Sequence, residues 1–222
     1  QDPSGGDLWY AIGALDSTNH GDGTYFNGTI DDVRVYNRAL SADEIKRLYK
    51  IGATTKINTS ISTDSLRNGL VGHWTFDGKD VAVNTAYDRS GQGNNGTLTN
   101  GPVRAIGKIG QALTFDGVND YVDVADSASL DITGNLTLAA WVNFDDVSSN
   151  TDARCSRIIQ KGASAASDMY GLSVTTGSIC GTPRASFVVV ISGVDQTVTS
   201  NTVVTVNRWY HLVGVREGNQ AR

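Results

Sequence analysis

The sequence predicts an all-β fold, two antiparallel sheets packed face to face, with one short helix near residues 41–50. Three observations predict it. Short alternating or apolar stretches of strand length recur along the chain. The 25 glycines, with clusters of Asn, Asp, Ser and Thr, interrupt those stretches at turn-like intervals. Only the stretch that starts at Ser41 combines a helical period with start signals.

In chain order, the first predicted strand is DLWYAIGAL at 7–15 and the second TIDDVRVYN at 29–37. Strict alternation in the second places Val33 and Val35 on one face with Asp31 beyond them, and Ile30, Asp32, Arg34 and Tyr36 on the other. The helix follows. Ser41 is placed to cap the N–H of Glu44, Glu44 to return the bond, and Leu40 to staple against Ile45. Ile45, Leu48 and Tyr49 form a short apolar stripe, and so short a helix must dock to persist. Residues 51–68 are polar and β-branched without period, and read as a linker. Strands then recur at LVGHWTF (70–76), QALTFDG (111–117), DYVDVA (120–125), LTLAAWVNF (136–144), RIIQKG (157–162), YGLSVTT (170–176), ASFVVVIS (185–192), QTVTSNT (196–202) and WYHLVGVRE (209–217). Residues 1–50 supply two strands and a helix, too little for a core of their own, so they need a partner sheet.

Composition excludes several classes. With 23 acidic and 18 basic residues the net charge is −5, and no Lys/Arg run follows a phosphate backbone, so no nucleic-acid partner is expected. No apolar stretch reaches the roughly 20 residues of a membrane span. The opening QDPSGG is no signal peptide, so an export signal is expected upstream. The turn-rich composition fits an extracellular or cell-surface protein. Cys155 and Cys180 flank turn-like sequence, and a disulfide closing that excursion suits an oxidising compartment; two buried thiols are the alternative.

GLVGHWTFDG, DRSGQGNNGTL, IGQALTFDGVNDYVDV, LTLAAWVNF and WYHLVGVREGNQAR, in that order, resemble the first three-quarters of a laminin-G-like, concanavalin A-like jelly-roll domain. LWYAIGAL with YFNGTIDDVRVYNRALSADEIKRLY resembles the last quarter, yet stands first. The resemblance implies a jelly-roll sandwich in rotated order: 1–50 its final strands and helix, 51–68 a linker, and 69–222 its earlier part. The two parts are expected to form one sandwich, within one chain or by strand exchange between copies; a slice of a tandem array is a further reading.

Retaining glycosidases on this sandwich carry paired carboxylates in a spacing such as E-x-D-x-x-E, which is missing here, so no enzyme is expected. His20, His73 and His211 accompany no nucleophile motif and read as structural. Loops dense in Asp, Asn and Gly point instead to Ca²⁺, a hard cation that takes oxygen ligands. The resemblance implies a structural Ca²⁺ between an early loop and an Asp of the final strand, here Asp77 and Asp31, with Asp88 and Asn95 or Asp116 and Asp120 as competing sets. Each of these also suits an Asx-turn. Trp74, Trp141 and Trp209 read as core, whereas Trp9, Tyr10, Tyr25, Tyr87 and Tyr170 lie nearer loops and are freer to stack on a sugar. Asn27, Asn58, Asn95 and Asn135 begin glycosylation sequons.

The expected function is a non-catalytic extracellular module of a larger repetitive protein, binding a glycan or another surface protein. Two alternatives stand beside it: a subunit of a surface filament or sheath assembled by strand exchange between its own copies, and an accessory glycan-binding module of a polysaccharide-degrading enzyme.

Overall fold

A computed structural model describes residues 10–14, 25–53, 64–146, 156–162, 169–175, 182–191 and 193–222. The chain begins with β1 (Tyr10–Ile12), β2 (Asn27–Tyr36), helix α1 (Ala42–Ala53), the one-turn helix α2 (Asp64–Arg67) and β3 (Leu70–Trp74). Short strands follow: β4 (Val81–Ala82), β5 (Thr85–Ala86), β6 (Gly96–Thr99), β7 (Val103–Ile106), β8 (Gln111–Asp116) and β9 (Tyr121–Val124). The remainder comprises β10 (Leu136–Phe144), β11 (Ser156–Lys161), β12 (Tyr170–Thr175), β13 (Arg184–Ile191), β14 (Val194–Val203), β15 (Trp209–Glu217) and β16 (Gln220–Ala221).

Two antiparallel sheets result. The first has the order β14-β13-β12-β11-β1-β9-β6-β5-β4; the second runs β16-β15-β10-β2-β8-β7, with β3 also paired to β2. Both early strands are interior. β1 lies between β11 and β9, and β2 has β10 on one side, with β8 and then β3 end to end on the other. The early segment therefore contributes central strands to both sheets of its own chain. The inner faces enclose one core, in which Tyr10 stacks on Trp74 at 5.5 Å and meets Tyr170 edge-on at 6.3 Å.

Helix α1 forms as its sequence dictates. Glu44 N–H donates to Ser41 Oγ (3.3 Å), and Ser41 N–H donates to Glu44 Oε2 (3.0 Å). Arg38 grips the same carboxylate at 2.8 and 2.9 Å. Leu48 then docks in a second apolar cluster with Tyr36, Leu40, Leu66 and Ala139 on the outer face of the second sheet. Tyr49 leaves the stripe: it is half exposed and stacks on Trp141. The helix continues to Ala53, and buried Leu66 anchors α2, so part of the stretch read as linker is structured.

The predicted alternation in β2 breaks at one point. Ala139 pairs with Arg34 and Trp141 with Asp31, so Ala140 opposes both Asp32 and Val33. This bulge, with Asp32 at φ 49, lets Ile30 join Val33 and Val35 in the core. Asp31 moves to the outer face beside Asp32.

Candidate functional site

On that outer face Asp31 is fully buried. Its Oδ2 accepts the Ile109 N–H at 2.7 Å, while Oδ1 has no hydrogen-bond partner. Ile109 belongs to the tight turn between β7 and β8, closed by a Gly107 N–H bond to the Gly110 carbonyl at 3.0 Å. Asp77 holds the other side, its Oδ1 accepting the Gln111 N–H at 2.9 Å. Glycine is required at both corners. A Cβ on Gly107 would lie 2.6 Å from Asp31 Oδ2, and Gly110 adopts φ +68 with a Cβ that would collide with Asp77 Oδ1.

The electrostatics follow from that burial. Desolvation, with the charges of Asp32 and Asp77, pushes the Asp31 carboxyl up to about 8 against the pull of the Ile109 N–H. Two features suit a hard cation: a buried carboxylate with an idle oxygen, and a second aspartate bonded to the same turn. Among the described residues no group of three or more His, Cys, Asp or Glu is placed to hold a metal, so any shell here would need carbonyl oxygens or water to complete it.

The neighbouring carboxylate behaves differently. Burial would raise Asp32 too, but Arg34 forks onto it at 3.0 Å through both Nε and Nη2, and His73 Nε2 lies 2.8 Å from Oδ1. Those partners hold it well below the usual carboxylate range. Further along, Trp141 stacks against Tyr49 at 5.4 Å and meets His211 at a tilt at 5.0 Å, with Lys108 Nζ 5.3 Å above its ring. Burial pushes the His211 imidazole down to about 4.

The competing acidic sets are engaged in turns. Asp88 accepts from the backbone N–H groups of His73, Ser90 and Asn94, and Asn95 Oδ1 accepts from the Asp88 N–H. Asp116 Oδ1 accepts from Val118, Asn119 and Asp120 N–H, and Asp120 Oδ2 from Asp116 N–H. Of the three sets, Asp31 with Asp77 is the one that includes a buried oxygen with no hydrogen-bond partner.

The aromatic candidates separate sharply. Tyr10 and Tyr170 are fully buried, correcting the expectation that they face a ligand. Their strands enter the core instead of bordering a loop: a ring with no accessible face cannot stack on a sugar. Tyr25 is partly exposed beside its bridge partner Ala14. Tyr87 is 39% exposed, with the Arg89 guanidinium 6.0 Å from its ring. Trp9, Cys155, Cys180 and His20 lie outside the described residues. Sequence reasoning missed Tyr49 as an open ring; its one-residue offset from Leu48 was the available signal.

A family model described as Concanavalin A-like lectin/glucanases superfamily matches residues 1–46 and 116–222, more than half of the chain. The first segment contains β1 and β2, and the second runs from the end of β8 through β16. Neither a curated protein nor a solved structure matches the chain.

Proposed function

The chain belongs to the concanavalin A-like lectin/glucanases superfamily, and from that premise we propose that it is a non-catalytic carbohydrate-binding or adhesion module of an extracellular protein, steadied by Ca²⁺. The family description admits both sugar binding and sugar cleavage. The observation that carries the choice is the condition of the paired aspartates in β2. Asp31 has no accessible surface, and Asp32 is tied into an ion pair with Arg34 and a 2.8 Å contact with His73 Nε2. A hydrolase needs an acid and a base or nucleophile facing one groove, where they can reach the glycosidic bond. These two carboxylates are withdrawn from solvent instead.

Calcium would be held by Asp31 and Asp77 with carbonyl oxygens of the intervening turn. Its contribution is charge neutralisation at a buried carboxylate and fixation of the β7–β8 corner. The partner is a glycan, free or carried on another surface protein.

The test is an array of immobilised oligosaccharides, followed by incubation of each bound sugar with the chain in millimolar Ca²⁺. Binding without release of reducing ends is expected. Cleavage of a bound sugar would refute the non-catalytic assignment, and absence of binding to every glycan would refute the lectin one.

A further inference from the structure

On the reading that this chain binds carbohydrate, we infer that its sugar subsite is an open cleft at the C-terminal end of β2, and that the ligand is a neutral glycan. The cleft has a volume of about 460 Å³, within the range of small-molecule sites. Asn37, Gln92, Ser129, Asp131, Thr133 and Asn135 form its polar walls. Val71 and Ile132, 5% and 7% exposed, contribute apolar surface. Amides, hydroxyls and a carboxylate exchange hydrogen bonds with sugar hydroxyls, and the small apolar area suits the C–H edges of a pyranose. Among the described residues no lysine or arginine lines the cleft. A sulfated or carboxylated sugar would find no free counter-charge, because Lys161 behind the wall is already committed to Asp131 and Asp126.

The walls are held in place before any ligand arrives. Ser129 Oγ accepts from Asn94 Nδ2 at 2.8 Å and lies 2.9 Å from Ser127 Oγ. Asn135 Oδ1 accepts the Gly218 N–H at 2.8 Å. Lys161, fully buried in β11, reaches Asp131 Oδ1 at 2.6 Å and Asp126 Oδ1 at 2.8 Å. Burying an ammonium is costly unless it is paired, and here it fixes two positions of the loop that forms the cleft wall. Four separate chain segments thus converge on one preorganised polar cavity, and preorganisation lowers the entropy lost on binding.

Gly134 offers a clean intervention. A Cβ there would meet nothing within 4 Å, and its φ is not left-handed, so Gly134→Trp should place an indole in the opening without disturbing the fold. Wild type, Gly134→Trp and the double variant Gln92→Ala/Thr133→Ala would be compared on immobilised neutral oligosaccharides (glucan, xylan, mannan and galactan fragments) beside sulfated and sialylated ones, with folding checked by circular dichroism. Wild-type binding to neutral members is expected, weakened at least tenfold by Gly134→Trp and about tenfold by the double variant, in line with two lost hydrogen bonds. Undiminished neutral binding in both folded variants would overturn the cleft assignment while leaving the lectin reading intact. Binding confined to acidic sugars would overturn the neutral-ligand assignment, and absence of wild-type binding to any sugar would overturn both readings.

Discussion

Trp141 lies directly opposite Asp31 across the β2–β10 ladder, and the extra residue that shifts the register follows at once. The pairing links the two halves of the outer face. On one side Asp31 turns to the β7–β8 corner; on the other Trp141 supports Tyr49 of α1.

The idle Asp31 oxygen leads to a prediction about ions. Ca²⁺ at about a hundred times its dissociation constant should stabilise the fold by roughly 2.7 kcal/mol, raising the melting temperature by about 5–10 °C. Asp31→Asn should abolish the response and Asp77→Asn should weaken it. Differential scanning fluorimetry in calcium and in EDTA measures this, and a wild-type midpoint indifferent to millimolar Ca²⁺ would count against the site.

In EDTA the same residue sets a pH dependence. Its folded value, about 8, lies above the unfolded 3.8. The stabilisation from its proton is therefore complete below about pH 4 and lost as pH rises through about 8, with a slope of at most about 1.4 kcal/mol per pH unit. Urea titrations from pH 4 to 8 should show the decline in wild type. Calcium or Asp31→Asn should flatten it.

Glu44 produces the opposite slope. The Arg38 hydrogen bonds and the Ser41 N–H lower it to about 2 from an unfolded 4.5, against burial. Its contribution is present above about pH 4.5 and disappears as pH falls toward 2. Glu44→Gln and Ser41→Ala should each cost about 1 kcal/mol at pH 7. In Glu44→Gln the acid-dependent loss should shrink, as read by chemical denaturation.

Helix α1 should detach through a single leucine. Leu48 is 1% exposed among Tyr36, Leu40, Leu66 and Ala139, and Leu48→Ala should cost about 2–5 kcal/mol. Tyr49→Ala should cost less but expose Trp141, shifting tryptophan emission to the red. An unchanged spectrum would show that Tyr49 does not cover the indole in solution.

The sandwich was legible because its long strands obey simple periods, as LTLAAWVNF does, and because Ser41 and Glu44 form a local capping box. The strands β4 to β7 were not, since VA, TA, GTLT and VRAI are too short or too polar to show a period. Asp31 and Asp77 were anticipated as a pair through family resemblance, but their juxtaposition depends on a bulge that alternation cannot reveal. Asp131 and Lys161 were passed over for a related reason: a buried lysine joining two loop aspartates is a tertiary relationship, thirty residues apart and silent in local pattern.

The interior position of β2 bears on how the polypeptide acquires its shape. Leu40 N–H bonds to Thr137 Oγ1 across a separation of 97 residues, and β10 is the neighbour that β2 must await. During synthesis the apolar side of β2 emerges long before that neighbour exists. Closing so wide a loop slows assembly and leaves a sticky nascent segment in need of protection. Refolding in vitro should therefore be slow and sensitive to protein concentration.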